Sequence, residues 1–258
     1  MDAGAAAADR EDSGLTAYRR ARRAIRGPGG LFLALLGLAV LGIAYEAWTW
    51  PHPARLLGEQ PATTAFIERY RASQRAVHKD DRVQWIVVPY AAISPDLKRA
   101  VIVAEDVNFF SHRGFDLGEL RKALEGPIEE GERPRGASTI TQQLVKNLWL
   151  SPSRNPLRKV KEAILTWQLE RALPKRRILD LYLNVAEFGP GLYGAEAAAR
   201  HYFGKPAAAL DAREAAQLAA SLPVPRRWHP GAQSRAYQAH VERVLGRMER
   251  ARWLGPLI

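Results

Sequence analysis

The sequence predicts a mainly α-helical body, residues 51–258, behind one N-terminal apolar helix long enough to cross a membrane. Three observations carry this expectation. A charge-free run of nineteen residues extends from Gly27 to Tyr45. Beyond it, apolar side chains recur at helical spacing, and Ser-Pro, Asn-Pro and Asp-x-x-Glu signals stand where helices would open. Only one segment, VQWIVVPY (Val83–Tyr90), reads as a strand, and Pro89 ends it.

The charge-free run contains LFLALLGLAVLGIAY, close to the roughly 20 apolar residues a membrane-spanning helix needs. Arg19, Arg20, Arg22, Arg23 and Arg26 precede it; Glu46, Trp48 and Trp50 follow. Arginine clusters stay cytoplasmic and tryptophans favour the interface, so the N-terminus is expected inside and the body outside. A cleaved signal peptide is the competing reading. The 26-residue lead is long for one, and no clean Ala-x-Ala site follows the apolar run. Residues 1–26, rich in Ala, Asp and Arg without an apolar period, read as a disordered cytoplasmic tail, and residues 27–50 as a transmembrane anchor.

Of the net charge of +11, residues 1–50 carry only +1, from six arginines against five acidic side chains. The body is therefore basic and expects an anionic partner. Outside the cytoplasm that partner is anionic lipid or a lipid-linked phosphate, not nucleic acid. With no cysteine, neither a disulfide nor a cysteine-ligated metal holds the body together.

Helix by helix, Pro51 and Pro53 mark the exit from the apolar segment, and Thr63 or Thr64 caps a segment carrying Phe66, Ile67 and Tyr70. Ser94 is an N-cap with Pro95 at the first helical position. Asn155–Pro156 repeats that opening, and Pro174 closes the helix it begins. Asp211 with Glu214 forms a capping-box pattern for a helix that stops before Pro223 and Pro225. The last helix carries Tyr237, Val241, Val244, Leu245 and Met248. Between them, Glu125–Gly136, with Gly126, Pro127, Gly131 and Pro134, reads as a mobile loop.

Three constellations could carry chemistry. In AEDVNFFSHRGFD (Ala104–Asp116), Leu97, Val101 and Glu105 share one helical stripe, so Glu105 continues an apolar face near a helix C-terminus. Burial and the dipole there both push its pKa upward, the tuning of a general acid or base near neutral pH. The ordinary alternative is an ion pair of the Glu105–Asp106 pair with Arg113 or Lys98. His112 reads as a hydrogen-bonder rather than a metal ligand, since no second histidine stands at i+4.

In RGASTITQQLVKNLWL (Arg135–Leu150), Thr139 caps a helix with Gln142 in the capping-box position. Gln142, Gln143, Lys146 and Asn147 form one polar face opposite Leu144 and Leu148. Amides plus a lysine suit sugar hydroxyls and a phosphate; an ordinary solvated face is the alternative. In NPLRKVKEAILTWQLE (Asn155–Glu170), Leu157, Val160, Ile164 and Trp167 supply an apolar stripe. Arg154, Arg158, Lys159 and Lys161 crowd the helix start, where cations oppose the dipole unless an anion binds. Glu162 lies four residues after Arg158, so a simple ion pair is the alternative.

Taken in order, EDxxFxxHxG (Glu105–Gly114), GASTITQQ (Gly136–Gln143), RKxxEA (Arg158–Ala163) and ILDLYLN (Ile178–Asn184) resemble the peptidoglycan glycosyltransferase family 51. The resemblance continues through GPGLYGAEAAARHYFGK (Gly189–Lys205) and EAAQLAASLPVP (Glu214–Pro225), covering about residues 85–230. It is nearest to the family's monofunctional, anchored members: no S-x-x-K or K-T-G element of a penicillin-binding half is present. Ala137 and Asp180 depart slightly from the family pattern, where glycine and glutamate are common.

The resemblance implies a lysozyme-like helical glycosyltransferase domain over residues 51–258. Its substrate would be lipid II, a disaccharide-peptide on undecaprenyl pyrophosphate, added to a lipid-linked glycan chain. Glu105 would be the general base that deprotonates the acceptor's 4-hydroxyl, giving a β-1,4 link with inversion. Glu162 would be the second catalytic glutamate, orienting a basic neighbour or helping to hold a divalent cation, Mg or Mn, at the pyrophosphate. Lys146, Arg154, Arg158 and Lys161 would meet the leaving diphosphate. Asp106, His112, Ser138, Thr139, Gln142, Gln143 and Asn147 would complete the substrate-binding set. No organic cofactor is expected; cell-wall synthesis proteins are the expected protein partners, and the location is the bacterial cytoplasmic (inner) membrane, crossed once. The rival readings are a peptidoglycan-cleaving lysozyme-like enzyme and a non-catalytic membrane-associated scaffold.

Overall fold

The computed structural model describes residues 28–125, 138–151 and 155–258, in two units that divide after Pro51. The tail expected over 1–26, most of the loop expected over 125–136, and Arg154 lie outside the described residues.

Among the described residues the first unit holds one helix, α1 (Pro28–Trp48). Its 21 residues, at about 1.5 Å each, span about 30 Å, the thickness of a bilayer's hydrocarbon core. Leu31, Phe32, Leu33, Leu38, Leu41 and Ile43 are all exposed. A helix apolar all round fits a membrane crossing in length and composition.

The second unit is helical, with one small sheet. α2 (Ala65–Arg75) is capped by Thr64, whose hydroxyl accepts the Ile67 N–H, while Thr63 turns to Glu68. α3 (Pro95–Glu105) opens at Ser94 as expected. It is followed by α4 (Leu117–Glu125), α5 (Ile140–Trp149), α6 (Pro156–Ala172), α7 (Lys175–Val185), α8 (Ala195–Phe203), α9 (Ala212–Ser221) and α10 (Arg235–Arg250). The capping boxes at Thr139/Gln142 and Asp211/Glu214 both form, each satisfying two backbone donors at a helix start. Two packing groups make the core: α3, α9 and α10 pack on one another, and α5 packs on both α6 and α7.

α7 is buried from Ile178 to Val185, which its polar residues tolerate because each is hydrogen-bonded. Asn184 bonds both the N–H and the C=O of Val88 and the Asp180 carboxylate. Arg177 closes on the other Asp180 oxygen. At the start of α8, Gly194 has φ +82°, and a Cβ there would stand 2.7 Å from the Asn184 carbonyl, so only glycine fits.

Two expectations change. The strand read over Val83–Tyr90 shrinks to β1 (Gln84–Trp85), and two further short strands appear, β2 (Glu187–Gly189) and β3 (Leu192–Tyr193). β3 is central, parallel to β1 and antiparallel to β2. The partner of β1 is β3, far along the chain, so the pairing is tertiary in origin. The apolar stripe of α6 also faces outward: Leu157 is 73% exposed, Val160 56%, Ile164 42% and Trp167 53%. The buried face of that helix is instead Glu162, Leu165, Thr166 and Leu169.

Candidate active site

The site begins where α3 ends. Asp106 caps that end, its N–H donating to the Ile102 carbonyl at 2.9 Å. The buried Asp106 carboxylate then accepts the N–H of Ile140, the first residue of α5, at 3.0 Å. One side chain thus ties the C-terminus of α3 to the N-terminus of α5, where a carboxylate also suits the helix dipole. Asp106 further accepts from Nε2 of His112 at 2.9 Å. Since Nδ1 of His112 accepts the Gly114 N–H at 3.2 Å, the ring proton belongs on Nε2. The Gly114 carbonyl in turn receives the Thr139 hydroxyl at 2.7 Å. Gly114 has φ +88°, and a Cβ would meet Thr166 Cγ2 at 2.9 Å, so the glycine of the HxG motif is a packing requirement.

Within this frame α5 presents Gln143 to Glu105. Gln143 Nε2 donates to Glu105 Oε2 at 2.7 Å, and the Tyr182 hydroxyl donates to Gln143 Oε1 at 2.8 Å. Tyr182 is buried on α7 and so fixes which end of the amide meets the carboxylate. Among the described residues, Glu105 Oε1 takes no hydrogen bond. Burial pushes the Glu105 carboxyl above its ordinary range, against the Gln143 bond and the Lys146 charge, with Asp106 adding to the rise.

Lys146 lies one turn beyond Gln143, half-buried, and its ammonium has no ion pair or hydrogen bond among the described residues. Burial pulls its ammonium below the ordinary lysine range, opposed chiefly by Glu162. Glu162 is 0% exposed. Its Oε2 accepts from Arg158 at 2.9 Å and its Oε1 from Lys159. The ion pair that sequence spacing offered as an alternative therefore forms, with a second cation added. Lys161 is half-buried nearby in sequence and has contacts of its own.

A cavity of about 230 Å³ is lined by Gln143, Lys146 and Asn147 of α5, Tyr182 of α7, Glu187 of β2 and Phe66 of α2. The structure therefore brings Gln143, Lys146 and Asn147 together at one cleft, with Glu105 hydrogen-bonded to its wall. Asp106, His112, Thr139 and Gln142 form the frame around it, their polar atoms engaged with one another and with backbone. Ser138 contributes its carbonyl to Gln143 at 3.5 Å. The ion pair with Arg113 or Lys98 that was the alternative reading does not form among the described residues; Asp106 pairs with His112, and Lys98 lies over the Tyr90 ring, 3.9 Å from its centroid.

Sequence reasoning left Tyr182, Phe66 and Glu187 out of the site, and named Lys159 only among the cations crowding a helix start. For Tyr182 a signal existed: a tyrosine inside a run as apolar as ILDLYLN must find a partner for its hydroxyl. Nothing local marks Phe66 or Glu187. The divalent cation implied at the diphosphate finds a poor donor set at Glu162, whose two oxygens already hold Arg158 and Lys159. Oxygen-rich surroundings suit Mg or Mn; this cluster suits an anion. Asp106, His112 and Asp116 do bring ligand atoms within 4.8 Å of one another, but Asp116 is committed to Asn108 and the Glu119 N–H, and the other two to each other.

The order of the motifs, the helical frame and the carboxylate–amide–cation cleft meet a family model described as transglycosylase, which matches residues 72–249. The chain belongs to the transglycosylase family. It is 45% identical over 201 residues to a biosynthetic peptidoglycan transglycosylase of Thiobacillus denitrificans, covering 78% of this chain and 87% of that one. A protein of the same name from Methylobacillus flagellatus is 44% identical over 227 residues, 86% of this chain and 95% of the relative. One from Bordetella pertussis is 46% identical over 202 residues, 76% and 81% of the two chains. The transglycosylase is thus a glycosyltransferase of peptidoglycan synthesis, with the lysozyme-like helical body expected of the family. The cleaving-enzyme and scaffold readings fall away.

Proposed function

We propose that this transglycosylase polymerises lipid II into β-1,4-linked glycan with Glu105 as the general base. The observation that carries the reading is the Tyr182–Gln143–Glu105 chain. A base must not be neutralised by a salt bridge, and here a neutral, oriented amide holds the carboxylate while burial raises its basicity. The acceptor's 4-hydroxyl donates to Glu105 Oε1. As its oxygen bonds the anomeric carbon of the lipid-linked chain, Glu105 takes the proton. The bond from that carbon to the phosphate oxygen breaks, and undecaprenyl pyrophosphate leaves as the anion. Lys146, with Arg154, Arg158 and Lys161, meets the charge that develops on the leaving group. Asn147 and the Gln143 amide contact the sugars, and Asp106, His112, Ser138, Thr139 and Gln142 hold the walls in register. Glu162 positions Arg158 and Lys159, and no step runs through a metal.

In this reading α1 anchors the chain in the cytoplasmic membrane, residues 1–26 stay inside, and the body works outside. The outward stripe of α6, bordered by Arg158 and Lys159, supports contact of the body with an anionic bilayer surface. The test is incubation of the purified full chain with labelled lipid II, followed by a muramidase. A polymer that the muramidase digests is expected; unreacted lipid II, or its cleavage, would overturn the proposal. A reporter active only outside the cytoplasm, fused after Ile258, should be active.

A further inference from the structure

The cleft contains a carboxylate with no part in the chemistry above. Glu187 opens β2 and lines the cavity together with Gln143 and Lys146. Its Oε1 is buried and, among the described residues, accepts no hydrogen bond. Among the described residues the nearest cation, Arg226, stops at 3.9 Å, beyond hydrogen-bond reach, with its side chain 65% exposed. A buried carboxylate oxygen without a partner is rare in folded proteins, because it loses water and gains nothing in return. The backbone that carries it is paired: Glu187 lies opposite Tyr193 in the β2–β3 register. Such a group is pre-set to receive a donor from a ligand in the cavity.

We infer that Glu187 is a specificity-determining residue of the cleft, accepting a hydrogen bond from a hydroxyl or amide N–H of the bound saccharide. The inference rests on the polymerase reading for the identity of that saccharide. A neutral donor is favoured over an ammonium by the surrounding field: Lys146 shares the cavity, and Arg69 and Arg226 both act on the Glu187 carboxyl. Burial lifts that carboxyl above its ordinary range, as expected of an acceptor waiting for a partner. The competing role is structural, a loose salt bridge with Arg226.

The experiment is steady-state polymerisation of labelled lipid II by the full chain and by Glu187→Ala, Glu187→Gln and Arg226→Gln, with unfolding midpoints for each. Glu187→Ala should raise KM roughly tenfold or more while kcat changes little, the signature of binding shared by ground and transition states. Glu187→Gln keeps an acceptor oxygen and should hold KM within about threefold. Arg226→Gln should keep the normal KM. If Glu187→Ala does not fold, the shape-matched Glu187→Met replaces it with the same expectation. A normal KM in the folded Ala or Met variant overturns the inference. So does Arg226→Gln reproducing its KM, which would reveal a structural pair, and so does Glu187→Gln failing as badly as Ala. Wild-type protein that makes no polymer in this assay would instead overturn the polymerase reading.

Discussion

Glu105 and Glu162 flank the same lysine and live in opposite surroundings. Glu105 is half-buried, and its partner is a neutral amide. Glu162 is fully buried, and both its oxygens are saturated by cations. A carboxylate held by an amide keeps its charge available to take a proton, and desolvation makes it a stronger base. A carboxylate held by an arginine and a lysine has its charge committed to keeping those cations in place. Identical side chains therefore support different work, and the neighbours decide which.

The comparison breaks first at Glu105. Glu105→Gln is nearly isosteric, and loss of a general base should lower kcat by roughly 10²–10⁴-fold, about 3–5 kcal/mol of transition-state stabilisation. Lipid II polymerisation kinetics give the number, with circular dichroism to check that the fold is kept. The same variant carries a stability sign. The Glu105 carboxyl is raised above its ordinary value of 4.5, so the folded state binds its proton more tightly than the unfolded chain. That contribution is full below the unfolded value and is lost as pH rises through the folded one. Glutamine mimics the protonated form. Glu105→Gln should therefore unfold at a higher temperature than wild type at neutral pH, with the advantage vanishing below about pH 4.5. A wild type whose acid limb of kcat/KM falls only in the ordinary carboxylate range would remove the raised pKa from the mechanism.

At Glu162 the expected loss is in stability, and it is asymmetric. Replacing both Arg158 and Lys159 by Met leaves an uncompensated buried charge, which should cost about 3 kcal/mol in chemical denaturation. Glu162→Gln frees two cations that can turn to water and should cost about 1 kcal/mol. Equal costs would mean that Glu162 is not held by these two residues. Lys146, between the two glutamates, should respond in rate rather than fold. We expect Lys146→Ala to lower kcat/KM by roughly tenfold to a hundredfold, with partial recovery in Lys146→Arg because a guanidinium fork places its charge differently. The smallest effect belongs to the outward face of α6. In detergent, Leu157→Ser should move unfolding by no more than about 0.5 kcal/mol, as for exposed sites generally. Leu165→Ala, on the buried face of the same helix, should cost about 2–5 kcal/mol.

Most of the helical frame was legible in the sequence because helix ends are local events. Ser94–Pro95, Thr139 with Gln142, Asn155–Pro156 and Asp211 with Glu214 satisfy backbone donors within one turn, and all four open helices as read. The raised carboxyl of Glu105 was legible too, since an apolar stripe running into a helix end fixes its surroundings from one segment alone. Tertiary structure decided what depends on distant segments. The orientation of Gln143 required Tyr182, 39 residues away. β1 found its partner in β3, far along the chain. The outward face of α6 was decided by which side packs on α5, and an apolar stripe does not say whether protein or lipid will cover it. Local chemistry sets where a helix begins and ends; which side chains meet across a cleft is set by long-range packing.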